Sequence, residues 1–147
     1  IINDDVALAV EIGADGAHVG RGDAPDGSLA AARAALGPGR ILGVSCYDEL
    51  ALAEEAARAG ADYVAFGSVF PSRTKPEAVH APLALLGEAR RRLGLPVAAI
   101  GGITLENAPQ VIAAGADMLA VVSDVFDAMD IRTRVEAYGS LFPRMQA

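Results

Sequence analysis

The chain has 147 residues, of which 52% are apolar, 21% charged and 5% aromatic, a composition typical of one globular domain spanning residues 1–147. Twelve Lys and Arg residues against 19 Asp and Glu residues give a net charge of -7, which makes nucleic acid a poor candidate partner. The longest uncharged stretch, residues 93–105, is too short to span a bilayer, and the single Cys46 cannot form an internal disulfide. We therefore expect a cytoplasmic protein that does not enter the membrane.

Helical and strand patterns alternate along the whole chain. The repeat Gly-Ala-Asp occurs at residues 13–15, 60–62 and 115–117, each time after an Ala-rich helical pattern and before an apolar run. Two further units lack the Ala-Asp pair but end their helical pattern at Gly37 and Gly94. In chain order, the predicted helices cover residues 6–12, 29–36, 50–59, 83–93 and 106–114. A strand ending at Asp4 opens the chain, and the later predicted strands cover residues 16–20, 41–45, 63–70, 96–101 and 118–123.

The predicted strands are almost continuously apolar, which is typical of parallel strands covered on both faces. Asp5, Ser28, Asp48 and Thr104 each precede a helical pattern and are predicted N-caps. Alternating strands and helices indicate a parallel α/β sheet, either doubly wound or closed as a barrel, and the pattern leaves both open. An eight-stranded barrel typically needs about 200 to 250 residues. If the fold is a barrel, this chain therefore lacks roughly two strand-helix units.

Polar residues follow the apolar run of each predicted strand, where the functional face of a parallel α/β fold lies. Asp4 and Asp23 follow successive strands, so their carboxylates could converge on one Mg²⁺ ion. The alternatives are a helix N-cap for Asp4 and a turn for Asp23. The loop after the fourth strand carries Ser72-Arg73-Thr74-Lys75, a cluster that suits a phosphate or diphosphate, with a solvated loop as the alternative.

A second candidate anion site follows the last two predicted strands. Gly101-Gly102 offers backbone N–H groups for close approach of a phosphate, and Ser123 ends the next apolar run. The alternative for the glycine pair is a bare turn. His18 is predicted to be a core residue with its hydrogen bonds satisfied, and His80 a loop residue. Neither histidine has a Cys or Ser at a spacing that indicates nucleophilic catalysis.

Several motifs together resemble the thiamine-phosphate synthase family, also called thiamine-phosphate pyrophosphorylase, over essentially the whole chain. They are Ile1-Ile2-Asn3-Asp4, Gly20-Arg21-Gly22-Asp23, Gly43-Val44-Ser45, Pro71-Ser72-Arg73-Thr74-Lys75-Pro76 and Ile100-Gly101-Gly102-Ile103-Thr104. The resemblance implies a (β/α)₈ TIM barrel, of which this chain would be the C-terminal two-thirds. About two strand-helix units, with a Gln-x-Arg-x-Lys motif, would lie upstream, and we expect these 147 residues alone to be weakly folded or inactive.

The resemblance also implies a role for each matching residue. Asp4 and Asp23 would hold Mg²⁺. Asn3, Ser45 and Lys75 would contact the pyrimidine diphosphate, with Lys75 and Ser45 the catalytic pair. The thiazole phosphate would be bound by Ser72, Arg73, Thr74, Gly102, Val122 and Ser123, the last three largely through backbone N–H groups.

The implied activity is a transferase reaction in thiamine biosynthesis. It joins hydroxymethylpyrimidine diphosphate to thiazole phosphate and releases diphosphate, so the partners are small molecules. A thiazole tautomerase is the nearest alternative, but those enzymes use a His in the loop where this chain has Cys46-Tyr47-Asp48. A non-catalytic, phosphate-binding fragment is the alternative from another class. The sequence leaves a homo-oligomer open.

Overall fold

The computed structural model describes residues 1–72 and 74–142, which form a six-stranded parallel sheet flanked by helices. The strands are β1 (Ile2–Asn3), β2 (Gly16–Val19), β3 (Ile41–Tyr47), β4 (Tyr63–Gly67), β5 (Val97–Ile100) and β6 (Met118–Ala120). The helices are α1 (Val6–Glu11), α2 (Leu29–Leu36), α3 (Leu50–Arg58), α4 (Ala84–Leu93), α5 (Ala108–Ala113), α6 (Ser123–Phe126) and α7 (Ile131–Gly139). The strands pair in sequence order, β1-β2-β3-β4-β5-β6, so the predicted α/β class and strand count are confirmed.

The Gly-Ala-Asp repeat joins each helix end to the neighbouring strand. The five predicted helix-closing glycines all have positive φ, between 64° and 115°. In two of the three copies the side chain of the repeat's aspartate then accepts a hydrogen bond from a strand N–H. The Asp62 carboxylate accepts from Leu42 N at 2.7 Å, and that of Asp117 accepts from Val97 N at 3.0 Å. These bonds satisfy backbone groups where the ladder begins.

The two faces of the sheet differ in burial. The face that packs against the helices is closed, with Val19, Phe66 and Val97 completely buried. On the opposite face Ile41, Ile100 and Met118 remain 42%, 44% and 36% exposed. At these three positions the inner face is therefore open, although Ala65 and Ala98 near its centre are buried.

Two of the four predicted N-caps are confirmed. The carboxylate of Asp5 accepts a hydrogen bond from Leu8 N at 2.8 Å, and the Ser28 hydroxyl caps α2 in the same way. The prediction for Asp48 is wrong, because the N-cap of α3 is Glu49, whose side chain makes no capping bond. Thr104 does not directly precede α5, whose N-cap is Asn107, but its hydroxyl does accept a hydrogen bond from the backbone N–H of Asn107 at 3.3 Å. An additional turn, in which Thr104 and Asn107 exchange side-chain to backbone hydrogen bonds, delays the start of α5.

The last part of the chain differs most from the prediction. β6 ends at Ala120 rather than at residue 123, because the backbone leaves the extended region at Val122, where φ is -115° and ψ is -77°. Ser123 consequently begins α6, and α7 follows; neither helix was predicted. None of the helices within residues 1–72 and 74–142 combines the length and the apolar character that a membrane span requires.

Candidate functional site

A pocket of about 610 Å³ lies where the carboxyl ends of β3 to β6 meet the following loops. Its walls include residues predicted for both substrates: Ser45, Ser72, Thr74, Lys75, Gly102, Val122 and Ser123. Asn3, Asp4 and Asp23 do not line it. They lie beside β1 and β2, at the neighbouring edge of the sheet. Arg73 falls outside the described residues.

The loop after β4 is organised around the Ser72 hydroxyl. Its Oγ accepts hydrogen bonds from the backbone N–H of Thr74 at 3.3 Å and of Lys75 at 3.5 Å. The Thr74 hydroxyl in turn lies 3.4 Å from the hydroxyl of Ser123, at the start of α6. The two loops that the sequence assigned to a phosphate therefore meet at the pocket wall.

Gly102 brings a third loop into contact with them. It adopts a left-handed conformation with φ of 59°, and a Cβ at this position would lie 2.4 Å from the carbonyl oxygen of Pro71. The side-chain amide of Asn107 donates a hydrogen bond to the Gly102 carbonyl at 3.0 Å. Only glycine fits this close approach of the loops after β4 and β5.

A chain of polar side chains crosses the inner face of the sheet and ends at Ser45. The imidazole of His18 is bonded through Nδ1 to the Tyr63 hydroxyl and through Nε2 to the Ser45 hydroxyl, both at 2.8 Å. The Tyr63 ring crosses over Gly43 to stack on His18, with centroids 5.4 Å apart. A Cβ at Gly43 would lie 2.1 Å from that ring. His18 has its hydrogen bonds satisfied, as predicted, but it also orients a predicted catalytic residue.

The two predicted metal ligands, Asp4 and Asp23, lie close enough to His18 to affect its pKa. Burial lowers the pKa of His18, while the negative charges of Asp4 and Asp23 oppose that change. Asp23 also accepts a hydrogen bond from Gly20 N at 2.8 Å, which leaves its second carboxylate oxygen for another ligand. Asp4 has a left-handed backbone with φ of 65°, a conformation that Asp tolerates better than most residues.

Residues that the sequence did not predict form the far wall of the pocket. Asp124 and Arg134 line it, and their side chains form an ion pair at 2.8 Å. The Asp124 carboxylate also accepts a hydrogen bond from the buried Tyr138. Nothing in the local pattern marks this group, because Arg134 and Tyr138 belong to α7, a helix that was not predicted.

Two other residues are placed as predicted, away from the chemistry. Cys46 is completely buried, and burial raises the pKa of its thiol to about 12. It is a packing residue and stays protonated. His80 is exposed in the loop before α4. No described group of three or more His, Cys, Asp and Glu side chains could hold a metal ion by itself.

Comparison with known proteins identifies the family to which these loops belong. The family model described as thiamine monophosphate synthase matches residues 1–125. The chain belongs to the thiamine-phosphate synthase family. It is 66% identical over 142 residues to the thiamine-phosphate synthase of Azoarcus sp. (strain BH72), and 63% identical over the same length to that of Aromatoleum aromaticum. The predicted family and its synthase function are therefore confirmed, and with them an enzyme of the transferase class.

A solved family structure has the same fold. The thiamine phosphate pyrophosphorylase from Pyrococcus furiosus superposes with a TM-score of 0.79 at 37% identity, over 95% of this chain and 64% of its own. The alignments with the Azoarcus and Aromatoleum synthases cover 97% of this chain and 68% and 67% of those proteins. The chain thus spans about two thirds of the length of the family members it matches.

Proposed function

We propose that this chain forms most of the active site of a thiamine-phosphate synthase that joins hydroxymethylpyrimidine diphosphate to thiazole phosphate and releases diphosphate. The observation that carries the proposal is the pocket. It gathers Ser45 and Lys75 with the Thr74, Gly102 and Ser123 loops in a chain 66% identical to a synthase. The residues proposed to bind phosphate and the proposed catalytic pair line the same pocket, which supports the proposal.

The thiazole phosphate would lie against the three loops that meet at the pocket wall. The hydroxyls of Ser72 and Thr74 supply donors there, and the turns at Gly102 and at Val122-Ser123 supply backbone N–H groups. Arg73 joins this set by resemblance alone. A phosphate held away from the reacting ring orients the thiazole nitrogen without taking part in the chemistry.

The pyrimidine diphosphate would extend from Lys75 and Ser45 toward the edge formed by β1 and β2. Asn3 at the end of β1 would contact it there. The Lys75 ammonium is a mobile point charge suited to a diphosphate oxygen, and it is exposed at the pocket mouth. Ser45 reaches the same ligand through a hydroxyl that His18 already orients.

Asp4 and Asp23 would hold Mg²⁺ beside this diphosphate. Two observations support this fit. Burial lowers the pKa of His18 and the charges of both carboxylates oppose this change, so both lie near the same side chain. Mg²⁺ commonly binds one or two carboxylates together with phosphate oxygens and water. A bound Mg²⁺ would neutralise the charge that grows on the departing diphosphate.

The proposed reaction is dissociative. The bond between the methylene carbon and the diphosphate oxygen breaks, its electron pair leaves with the diphosphate, and a pyrimidine-methyl cation remains. The lone pair of the thiazole nitrogen then forms the new carbon–nitrogen bond. Lys75 stabilises the leaving group, and no protein nucleophile is needed. The buried Cys46 thiol could not serve as one, nor could it replace the histidine of a tautomerase.

We further propose that the sheet supplies six of the eight strands of a (β/α)₈ barrel, of which this chain would be the C-terminal two-thirds by length. The inner-face residues Ile41, Ile100 and Met118 are partly exposed, and β1 and β6 each present an unpaired edge that closure would cover. Residues 1–147 alone should then be weakly folded and inactive.

The net charge of -7 and the buried thiol support small-molecule partners and a cytoplasmic location.

Asp23→Asn in the full-length synthase tests the proposal. We expect kcat/KM to fall about a hundredfold or more at low Mg²⁺, because one ligand to the ion loses its charge. Asp26→Asn is the matched control, since it removes the same charge three residues away on an exposed turn with φ of 52°, which Asn tolerates. Near-full activity of Asp23→Asn would refute the metal assignment, and full turnover by residues 1–147 alone would refute the requirement for barrel closure.

A further inference from the structure

One carboxylate oxygen joins three segments at the far wall of the pocket. Oδ2 of Asp124 accepts hydrogen bonds from the hydroxyl of Tyr138 at 2.7 Å, from Nη1 of Arg134 at 2.8 Å and from the backbone N–H of Leu105 at 3.2 Å. Tyr138 and Arg134 belong to α7, Leu105 to the loop after β5, and Asp124 to α6. The Asp124 side chain is 18% exposed, so these bonds are partly shielded from water.

These bonds connect the two turns proposed to bind the thiazole phosphate. Leu105 follows the Gly102 turn by three residues, and Asp124 directly follows Ser123. Within the Gly102 loop, the Asn107 side chain donates to the Gly102 carbonyl and accepts from Thr104 N. The bond from Leu105 N to Asp124 then ties α6 to that loop.

The charge of Asp124 needs compensation at this position. Burial would raise the pKa of its carboxyl, but the hydrogen bonds from Tyr138, Arg134 and Leu105 lower that pKa below its usual value, so the group is ionised. An unpaired carboxylate next to a phosphate would repel it. Arg134 also lines the pocket and cancels this charge through the ion pair.

We propose that Asp124 is a positioning residue for the phosphate-bearing thiazole substrate: it clamps Leu105, Arg134 and Tyr138 and so sets the distance between the Gly102 and Ser123 turns. The proposal rests on the proposed function of the pocket. It goes beyond it because none of the motifs that carry the family resemblance includes Asp124, Arg134 or Tyr138. Arg134 also neutralises the negative charge of Asp124, which would otherwise repel the substrate phosphate.

Steady-state kinetics of Asp124→Ala in the full-length synthase test this clamp. We expect the KM for thiazole phosphate to rise about tenfold or more, with the KM for the pyrimidine diphosphate within about twofold of wild type. Asp130→Ala is the matched control. Asp130 caps α7 through Thr133 N at 3.1 Å, so its loss weakens the same helix without touching the clamp, and the ratio of the two KM values should stay unchanged.

Two further variants keep the test decisive if Asp124→Ala does not fold. Tyr138→Phe keeps the buried ring and removes one of the three bonds, and it should raise the thiazole phosphate KM alone, by about twofold to fivefold. Arg134→Ala leaves the carboxylate unpaired, so it should raise that KM more than Tyr138→Phe does. An unchanged KM ratio in these variants, or the same change in Asp130→Ala, would overturn the clamp. Absence of synthase activity in the wild-type protein would instead overturn the proposed function.

Discussion

Replacing Gly102 by alanine tests whether the phosphate site depends on the close approach of two loops. The new Cβ would lie 2.4 Å from the Pro71 carbonyl oxygen and 2.8 Å from Cβ of Phe70. Neither atom is the end of a flexible side chain, so the loops after β4 and β5 must move apart. Ser72 follows Pro71 directly and Thr74 lies two residues further on, so both would move with it.

The size of the effect follows from two costs. A residue with a Cβ in the left-handed region loses about 1–2 kcal/mol. Relieving an overlap with backbone costs about 1–3 kcal/mol more. Since each 1.36 kcal/mol is tenfold in rate, we expect kcat/KM for thiazole phosphate to fall roughly a hundredfold, with the rest of the cost appearing as lost stability.

Gly94→Ala is the control that separates the two costs. Gly94 has nearly the same φ, 64°, but nothing lies within 4 Å of its Cβ position, and it closes α4 far from the pocket loops. We expect it to lower the free energy of unfolding by the same amount, about 1–2 kcal/mol, and to leave kcat/KM unchanged. The two variants are compared by urea denaturation and by kinetics with each substrate varied in turn. Equal effects of both substitutions would refute the loop-contact argument.

Three other substitutions probe separate parts of the site. Lys75→Gln should reduce kcat/KM for the pyrimidine diphosphate about a hundredfold, close to 3 kcal/mol, and near-normal rates would exclude its role in stabilising the leaving group. Ser123→Ala should change the thiazole phosphate KM by about threefold or less, because backbone N–H groups are proposed to bind there; a severe loss would show that the hydroxyl matters. Burial lowers the pKa of His18 in the folded protein. As the pH falls below about 6.5, His18 is therefore protonated more readily in the unfolded chain than in the folded one, and the free energy of unfolding should decrease. His18→Gln should flatten this part of the pH profile in urea denaturation, and an unchanged profile would contradict it.

The sequence by itself predicted the α/β class, the six strands and the helix-closing glycines, because these depend on local patterns. An apolar run buried on both faces and a glycine after a helical pattern have the same meaning wherever they occur. The polar residues at strand ends were also readable. In a parallel sheet all carboxyl ends lie at one edge, so the loops carrying Ser72, Gly102 and Ser123 had to be neighbours.

Tertiary structure decided the contacts between residues distant in sequence. The bonds from His18 to Ser45 and Tyr63 depend on strand register and on the missing side chain of Gly43. The Asp124 clamp depends on α7, whose position is set by packing rather than by a motif. Local signals report what each segment prefers, whereas these hydrogen bonds arise only where separate segments meet at atomic distances.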